Sequence, residues 1–288
     1  MKWYFILILT IVLSCNEKEL KTASVAFYNL ENLFDTEPDS SSINEPFTPE
    51  GEKKWDQVRY TNKLKNLAKV IGELANGGAP TFLGVCEVEN KKVLEDLIAQ
   101  PSLKKENYAI VHIDSPDERG IDVGFIYKKS IFTVEHFTAH QPDLSYSKDL
   151  TRDILHVQGK VINGETLHFI INHWPSRGGG SEASESKRIA AATTLNNIKV
   201  SILKTEPNAK IIVMGDFNDE PSDKSIAEVL DVSCNQSNTA KGQFFNAFCD
   251  IEKAGKGSYL YRDSWDMLDE IMVSSTVLSR TNAIHFNN

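Results

Sequence analysis

The segment around Asp216 combines a carboxylate and an amide with an apolar run. Residues Ile211–Met214 precede Gly215, Asp216, Phe217 and Asn218, and four apolar residues bounded by a glycine predict a buried strand. Because side chains alternate along a strand, we expect Asp216 and Asn218 to leave it on the same side. They offer oxygen ligands for a hard cation, a hydrogen-bond donor and a base. The pattern also fits a turn in which Asp216 caps the next helix, so the segment alone leaves both interpretations open.

Residues of the same chemical type stand at the ends of other predicted strands. One such residue is more often a cap or a solvated rim residue, but a set spread over several strand ends favours a common site. Glu87 and Asp216 would supply oxygen ligands for Mg²⁺ or Mn²⁺, which neutralise phosphoryl charge. The whole set is Asn29, Glu87, Asp122, His173, Asp216 and Asn218.

A histidine and an arginine lie close together in Asn172–Arg177, beside three glycines. His173 can donate a hydrogen bond to a phosphate oxygen, and Arg177 can clamp a phosphate with two donors. Gly178–Gly180 would let the backbone approach an anion. A histidine in such a loop equally fits local packing, so its assignment depends on the other residues of the set.

Strands and helices interleave along the chain and must bring these residues together. Asn163-Gly164 is a strong hairpin signal between two of the strands. Interleaved elements with hairpins among them predict an α/β fold with two packed sheets and helices outside, rather than a purely parallel sheet. The predicted strands are Val25–Asn29, Thr81–Val85, Tyr108–Ile113, Val123–Tyr127, Ile154–Val161, Thr166–Ile171, Ile211–Met214 and Glu270–Val273, and the predicted helices are Asp56–Leu74, Lys91–Gln100 and Ala183–Lys204.

Composition limits the class of protein and of partner. The chain has 288 residues, of which 41% are hydrophobic and 25% charged, which is the balance of a globular protein with one large core. Its formal charge is −9 and its pI about 5.3. This acidic balance argues against binding of nucleic acid through a broad basic surface, whereas it allows a local cationic site or a metal site.

The first residues have the pattern of a secretory signal. Lys2 precedes the apolar run Phe5–Leu13, which is too short to span a bilayer, and Ser14 is followed by Cys15. We predict a signal peptide over residues 1–14, lipidation of Cys15, a polar tether over residues 15–22 and a single domain over residues 23–288. A conventional signal peptide with an incidental cysteine is the alternative. The protein is expected in the cell envelope, anchored to a membrane by lipid on its periplasmic or extracellular face.

Three further cysteines and an aromatic segment allow alternative interpretations. Cys86 lies in an apolar run and fits a small core residue. Cys234 and Cys249 flank a polar segment and, in an oxidising compartment, either form a disulfide or stay free. The segment Gly257–Trp265 is aromatic and basic, and either contacts a base, a sugar or a lipid headgroup or packs locally.

Six strings occur in an order that resembles the endonuclease/exonuclease/phosphatase superfamily, in its bacterial lipoprotein-type branch. The resemblance covers residues 23–274. It implies a four-layer sandwich of two packed β-sheets flanked by helices, and a divalent-metal phosphoesterase site at one edge. The strings are YNLENLFD (Tyr28–Asp35), GVCEVEN (Gly84–Asn90), RGIDVGFIY (Arg119–Tyr127), NHWPSR (Asn172–Arg177), GDFND (Gly215–Asp219) and WDMLDEIMVS (Trp265–Ser274).

The resemblance also implies a role for each matching residue. Mg²⁺ or Mn²⁺ would be held by Glu87, Asn29 and Asp216. The catalytic residues would be His173 at the phosphoryl group, Asp216 at the attacking water, Asn218 and Asp269. The residues expected to bind substrate are Arg119, Arg177 and Asn218.

One family motif has no match in this chain. The superfamily pattern ends in Ser-Asp-His, and the only later histidine, His285, follows an isoleucine. We therefore expect His285 to be a packing or surface residue, and the domain to be truncated at its C-terminus. A shorter protein that has lost the motif is the alternative.

The sequence thus predicts a metal-dependent phosphodiesterase or phosphohydrolase, most simply endonuclease-like, that acts as a monomer on nucleic acid or nucleotides. Without the last motif its activity is expected to be reduced, because one general acid or base contributes about 100- to 10,000-fold. The alternative is a non-catalytic binding lipoprotein with the same fold.

Overall fold

Two β-sheets pack face to face in the computed structural model, which describes residues 9–13, 21–37, 46–75, 77–145, 149–279 and 284–287. The strands are β1 (Leu9–Leu13), β2 (Lys21–Leu33), β3 (Phe82–Val88), β4 (Tyr108–His112), β5 (Asp122–Lys128), β6 (Phe132–His140), β7 (Ile154–Val161), β8 (Thr166–His173), β9 (Ile211–Asp216), β10 (Val232–Ser233), β11 (Phe244–Asn246), β12 (Tyr259–Tyr261), β13 (Ser264–Asp266), β14 (Asp269–Ser274) and β15 (Ile284–Asn287). The α-helices are α1 (Gln57–Ile71), α2 (Lys91–Ile98), α3 (Pro101–Lys104), α4 (Ser181–Thr205), α5 (Cys249–Lys253) and α6 (Ser275–Leu278).

Within the described residues, the first sheet has six strands in the order β15-β1-β2-β3-β5-β4, and the second has seven in the order β10-β11-β14-β9-β8-β7-β6. Both are mixed. The pairs β2 with β3 and β8 with β9 are parallel, and their neighbours β5 and β14 run antiparallel to them. The strands β12 and β13 form a separate two-stranded ribbon.

Alternation along the strands divides the apolar residues between two faces. In β2, Val25 and Phe27 point between the sheets, whereas Ala26 and Tyr28 point to the helical side. The layer between the sheets is aromatic, with Phe82 and Phe169 rings 4.6 Å apart between centroids. Burial of such side chains from both sheets stabilises the face-to-face packing.

Helices cover both outer faces. Leu64, Ala68 and Ile71 of α1 pack on the outer side of the first sheet, and Leu195 and Ile198 of α4 pack on the outer side of the second. The order of layers is helix, sheet, sheet, helix, so the predicted four-layer sandwich is confirmed.

The predicted elements recur with small shifts of their ends. Asp56 caps α1 by accepting a hydrogen bond from the Arg59 backbone N–H at 2.9 Å, which is why the helix starts at Gln57. The Asn163-Gly164 turn joins β7 to β8, with Gly164 at φ +87°. Strand β6 was not predicted; it is a sheet edge whose residues after Phe132 are mostly exposed.

The cysteine at 249 forms a disulfide with Cys234, with the Cα atoms 5.6 Å apart. The disulfide alternative is therefore confirmed, and Cys86 is a buried free thiol as predicted.

The predicted lipidation site Cys15 lies outside the described residues. The segment Leu9–Leu13, assigned from sequence to the signal peptide, forms β1 between β2 and β15. Among the described residues, no helix is both long and apolar enough to cross a membrane. The signal peptide and the anchor remain predictions.

Candidate active site

Three side chains of the predicted set lie side by side at the end of the second sheet. In the strand register, His173 at the end of β8 faces Asp216 at the end of β9, and Asp216 faces Asp269 at the start of β14. The His173 Nε2 atom is 4.0 Å from Asp216 Oδ2. Two carboxylates and an imidazole therefore meet on adjacent strands, as the sequence predicts.

The first sheet contributes Asn29 and Glu87 from across the interface between the sheets. The Asn29 amide nitrogen donates to Glu87 Oε1 at 3.3 Å and to Asp216 Oδ2 at 3.1 Å. Its Oδ1 accepts the backbone N–H of Glu31 at 2.8 Å. One amide thus joins carboxylates from both sheets, and the site exists only because the sheets are packed together.

Local backbone distortions aim two of these side chains. Glu87 has φ +58° at a point where the pairing of β3 with β5 shifts register. Asn218, just beyond β9, has φ +51°. Left-handed backbone at a non-glycine residue costs free energy, and such positions concentrate at functional sites. A β-bulge redirects a side chain, which accounts for Glu87 turning to Asn29.

Asp216 and Asn218 reach the same cavity as expected, but not from one strand. Strand β9 ends at Asp216, and Asp216 Oδ1 accepts the backbone N–H of Asn218 at 3.0 Å. The Asn218 amide donates to the Trp174 carbonyl at 2.9 Å. Asp216 thus uses one oxygen for this turn and the other for Asn29. It does not cap a helix, because the next helical segment among the described residues begins at Ser225.

Burial changes the protonation of the two central groups. It raises the pKa of Asp216 to about 6, helped by the Glu87 charge and opposed by the hydrogen bonds from Asn218 and Asn29. Burial also lowers the pKa of His173 well below its ordinary value, and the charges of Arg152 and Arg119 lower it further. His173 is thus a neutral imidazole at neutral pH, and its buried Nδ1 has no hydrogen-bond partner within the described part of the chain.

Arg152 was missed from the sequence. Its buried guanidinium donates to the His173 carbonyl at 3.1 Å and to the Trp174 carbonyl, and pairs with Asp117 at 3.0 Å. Asp117 Oδ1 in turn accepts the Arg119 backbone N–H at 3.0 Å. Arg152 therefore positions both the His173 loop and the Arg119 turn. A lone arginine before β7 carries no sequence signal, because its partners lie 21, 22 and 35 residues away.

Two predicted arginines line the site in different ways. Arg119 donates to Asn32 Oδ1 at 2.6 Å and lies near enough to His173 to influence its pKa. Arg177 donates to the Asn218 carbonyl at 2.8 Å and to Asp223 at 2.8 Å. The Arg177 guanidinium also lies 3.7 Å from Asp266. Its donors thus hold the loop after β9 together, which leaves Arg119 better placed to bind an anion.

Asp122 does not belong to the site. Its buried carboxylate accepts the Ser115 hydroxyl at 2.6 Å and lies 3.0 Å from His112 Nε2. The inclusion of Asp122 in the set was wrong, because a carboxylate at the start of a strand is satisfied locally by the preceding loop.

The remaining residues surround one cavity of about 970 Å³. Its lining combines the catalytic candidates with Lys53, the Gly178–Gly180 turn and two tyrosines. Asn29, Glu87, His173, Asp216, Asn218, Asp269, Arg119 and Arg177 all contribute to it.

The donor set fits a hard divalent cation. Glu87 and Asp216 supply carboxylate oxygens bridged by Asn29. A cation would offset the burial and the Glu87 charge that together raise the pKa of Asp216. Cys86 lies within 4.8 Å of His173 and Asp216 in ligand-atom distance. Burial and the neighbouring carboxylates raise the pKa of its thiol well above the ordinary value, so oxygen rather than sulfur ligands would hold the ion.

The sequence profile of the Endonuclease/Exonuclease/phosphatase family matches residues 24–287. The chain belongs to this family. Members of the endonuclease/exonuclease/phosphatase family act on phosphate esters, and the matched residues include every candidate named above for the site. None of the curated proteins matches the chain.

Solved structures share the family fold at low sequence identity. An endonuclease/exonuclease/phosphatase family protein from Bacteroides thetaiotaomicron is 17% identical with a TM-score of 0.58, over 88% of this chain and 82% of that one. A mannosyl-6-phosphatase from Bacteroides thetaiotaomicron VPI-5482 is 16% identical with a TM-score of 0.55, over 88% and 85%. Truncated TDP2 from Caenorhabditis elegans is 17% identical with a TM-score of 0.54, over 76% and 79%. At these identities the similarity concerns the fold.

Proposed function

We propose that this protein is a divalent-metal-dependent phosphoesterase whose leading reaction is hydrolysis of phosphodiesters, as in an endonuclease. One observation carries the proposal: Asn29 links Glu87 and Asp216 at 3.3 and 3.1 Å, beside His173, at the wall of a cavity of about 970 Å³. Family membership gives the same reaction class.

The residues divide the reaction between them. Mg²⁺ or Mn²⁺ would be held by the carboxylates of Glu87 and Asp216, and would neutralise phosphoryl charge and stabilise the leaving oxygen. Asn29, predicted as a third ligand, instead aligns these carboxylates with its amide N–H groups, because its Oδ1 accepts the Glu31 N–H. Asp216 takes a proton from water while the water oxygen bonds to phosphorus and the opposite ester P–O bond breaks. His173 donates a hydrogen bond to a non-bridging oxygen whose charge grows in the transition state.

Neighbouring groups keep that arrangement in place. Asp269 is the register neighbour of Asp216, and its carboxylate would add negative charge beside the ion. Asn218 fixes the loop through the Trp174 carbonyl. Arg119, with Asn32 as its partner, is the cation we assign to the substrate phosphate.

Charge restricts the size of the substrate. The cavity lining holds carboxylates of Glu31, Asp266 and Asp269 in addition to the proposed metal ligands, against the cations Lys53, Arg119 and Arg177. Contact with many phosphates requires many lysines and arginines. We therefore favour the diester bonds of nucleotides and of short nucleic acids over those of long duplexes.

Hydrolysis of bis-p-nitrophenyl phosphate and of plasmid DNA tests the proposal, with Mg²⁺, with Mn²⁺ and with EDTA. We expect metal-dependent release of p-nitrophenol that falls at least 100-fold in Asp216→Asn and in Glu87→Gln. Asp250→Asn, whose carboxylate is 90% exposed, is the matched control and should retain activity. A folded wild type that binds metal without turnover would instead favour the binding-lipoprotein alternative.

We also propose that Cys15 carries the lipid anchor of an envelope protein. The basic start, the apolar run and the Ser14-Cys15 pair support this. Metabolic labelling with an alkyne palmitate should mark the wild type and not Cys15→Ser, and the variant should leave the membrane fraction. Equal labelling of both proteins would reject the anchor.

A further inference from the structure

Two tyrosines form an exposed face beside the candidate active site. Tyr259 is 39% exposed and Tyr261 is 51% exposed, so the packing alternative for this segment does not account for them. Both lie on β12 and line the same cavity as Asp216 and His173. Because they are two residues apart on a strand, they stand on one side of it, with the less exposed Leu260 on the other.

The two rings are arranged as a stack. Their planes differ by 13° and their centroids lie 6.3 Å apart. The Arg262 guanidinium lies 5.1 Å from the Tyr261 ring centre. The two tyrosine rings that line the cavity thus stack on each other, and the Arg262 guanidinium packs on Tyr261. Such groups bind planar rings through stacking and cation–π contacts.

The ribbon is fixed to the catalytic edge at its base. The Ser258 hydroxyl accepts the backbone N–H groups of Leu268 at 3.2 Å and Asp269 at 3.0 Å. Gly257 approaches β13 so closely that a Cβ would lie 2.2 Å from the Asp266 carbonyl. The position of the tyrosines is thus coupled directly to that of Asp269.

The turn at the other end is equally well defined. Arg262 and Asp263 have φ +46° and +65°, and they connect Tyr261 to its register partner Ser264. A two-residue turn with both φ values positive matches the twist of a hairpin. The tyrosine face is therefore held by both ends of a short ribbon rather than by a long loop.

We infer that the Tyr259–Tyr261 face is a subsite for a nucleobase, so that the preferred ester is a nucleotide phosphodiester whose phosphate lies at Asp216 and whose base stacks on the ribbon. The inference rests on the proposed function for the phosphate end only. The parallel rings and the guanidinium favour a flat heteroaromatic ring over a sugar, which needs hydrogen bonds to its hydroxyl groups.

Calorimetric binding of two ligands tests the subsite. The probes are the phosphonate analogues of adenosine 5′-monophosphate and of ribose 5-phosphate, in which carbon replaces the ester oxygen so that neither is hydrolysed. We expect the base-bearing ligand to bind the wild type about tenfold or more tightly with Mg²⁺ present, the range for stacking of one base. The Tyr259→Leu/Tyr261→Leu double variant should remove this difference and leave affinity for the base-free ligand within about twofold.

A control variant and two other outcomes complete the test. Phe137→Leu removes a 52% exposed ring on the edge strand β6 and should preserve the selectivity. Equal affinity of the two ligands for the wild type, or selectivity that survives in the double variant, would overturn the subsite. Equal weakening of both ligands in the double variant would indicate a sugar platform and also overturn it.

Hydrolysis of bis-p-nitrophenyl phosphate by the same samples separates this inference from the proposed function. Base selectivity without metal-dependent hydrolysis would reject the enzyme and retain the subsite. Hydrolysis without base selectivity would reject the subsite and retain the enzyme.

Discussion

At the scale of single residues, the site depends on a few polar side chains that each hydrogen-bond to several partners. Asn29 donates to carboxylates from two sheets, and Arg152 satisfies two carbonyls and one carboxylate in a buried position. Loss of one partner in such a network leaves other buried groups unsatisfied, which costs more than one exposed hydrogen bond. Arg152 is thus a positioning residue, since it acts through the His173 loop.

Substitution of Arg152 by lysine should separate charge from geometry. Lysine keeps the charge beside Asp117 but cannot reach all three acceptors, so we expect a loss of about 1–3 kcal/mol in unfolding free energy. We also expect kcat to fall about tenfold and KM to rise, because Arg152 positions both the His173 loop and, through Asp117, the Arg119 turn. Urea unfolding and steady-state kinetics measure the two effects.

Arg59→Lys is the matched control, since Arg59 is an exposed residue of α1 that donates to the Lys53 carbonyl. If the kcat of Arg152→Lys stays at the wild-type level, the loop does not depend on Arg152.

At the scale of elements, close contact between β8 and β9 sets the position of the central groups. Gly215 faces Asn172 in the register of these parallel strands, and a Cβ at Gly215 would lie 2.5 Å from the Asn172 carbonyl oxygen. His173 and Asp216 follow directly on the two strands. The spacing of His173 and Asp216 therefore depends on the absence of a side chain at Gly215.

The Gly215→Ala variant should push these strands apart. We expect the free energy of unfolding to fall by about 1–3 kcal/mol, typical of overpacking. We also expect the rate of bis-p-nitrophenyl phosphate hydrolysis to fall by more than the loss of folded protein accounts for. Gly78→Ala is the control, because a Cβ there lies 3.6 Å from its nearest neighbour. Wild-type activity in Gly215→Ala would show that the strand spacing tolerates a methyl group.

A histidine cluster on β6, β7 and β8 makes stability dependent on pH. His156 Nε2 lies 3.0 Å from His168 Nδ1, and His168 Nε2 lies 3.3 Å from Glu206. Burial, with the charges of His168 and His140, lowers the pKa of His156 from 6.5 to about 4. Burial also lowers the pKa of His140, and that of His168 against the opposing effect of Glu206.

The sign of the effect follows from proton binding. Below pH 6.5 the unfolded chain protonates His156, whereas the folded protein does so only near pH 4, so stability falls as the pH decreases through this range. Between pH 7 and pH 4, the free energy of unfolding of His156→Gln should fall by on the order of 2 kcal/mol less than that of the wild type. Urea unfolding at several pH values measures this.

His136→Gln, at an exposed position of β6, should follow the wild type. Identical pH profiles for His156→Gln and the wild type would place the acid sensitivity elsewhere.

At the scale of the whole molecule, three apolar layers and the Cys234–Cys249 disulfide stabilise the part of the chain that the structure describes. The layer between the sheets joins strands from both halves of the chain, and the helical layers close the outer faces. The disulfide between Cys234 and Cys249 fixes the segment that leads from β10 to α5. That segment contains β11, which pairs with β14 next to the site.

Reduction of the disulfide should therefore lower global stability. Closure of a 15-residue loop corresponds to about 3 kcal/mol in the unfolded chain. Urea unfolding with and without dithiothreitol should show a shift of this size in the wild type, and no response in the Cys234→Ala/Cys249→Ala variant. A wild type that is insensitive to the reductant would mean that the link does not constrain the unfolded chain.

The sequence by itself determined the fold class and most of the site. Apolar runs ending in polar residues, with glycine and hairpin signals between them, predicted the strands that carry Glu87, His173 and Asp216, because local periodicity and turn chemistry act over a few residues. The two cysteines were recognised as a candidate pair, but only their distance in the fold decided between a disulfide and free thiols.

Only the tertiary structure decided which polar residues meet. Asp122 and Asp216 have the same appearance in the sequence, yet one is satisfied by Ser115 and the other faces Asn29. Arg152 gave no signal in the sequence, because its partners lie up to 35 residues away. The tyrosine face gave no decisive signal, because its role depends on a contact 11 residues along the chain and on which side of the ribbon faces the cavity. Register, bulges and the packing of two sheets are long-range properties, and they fixed the site that the local pattern could only outline.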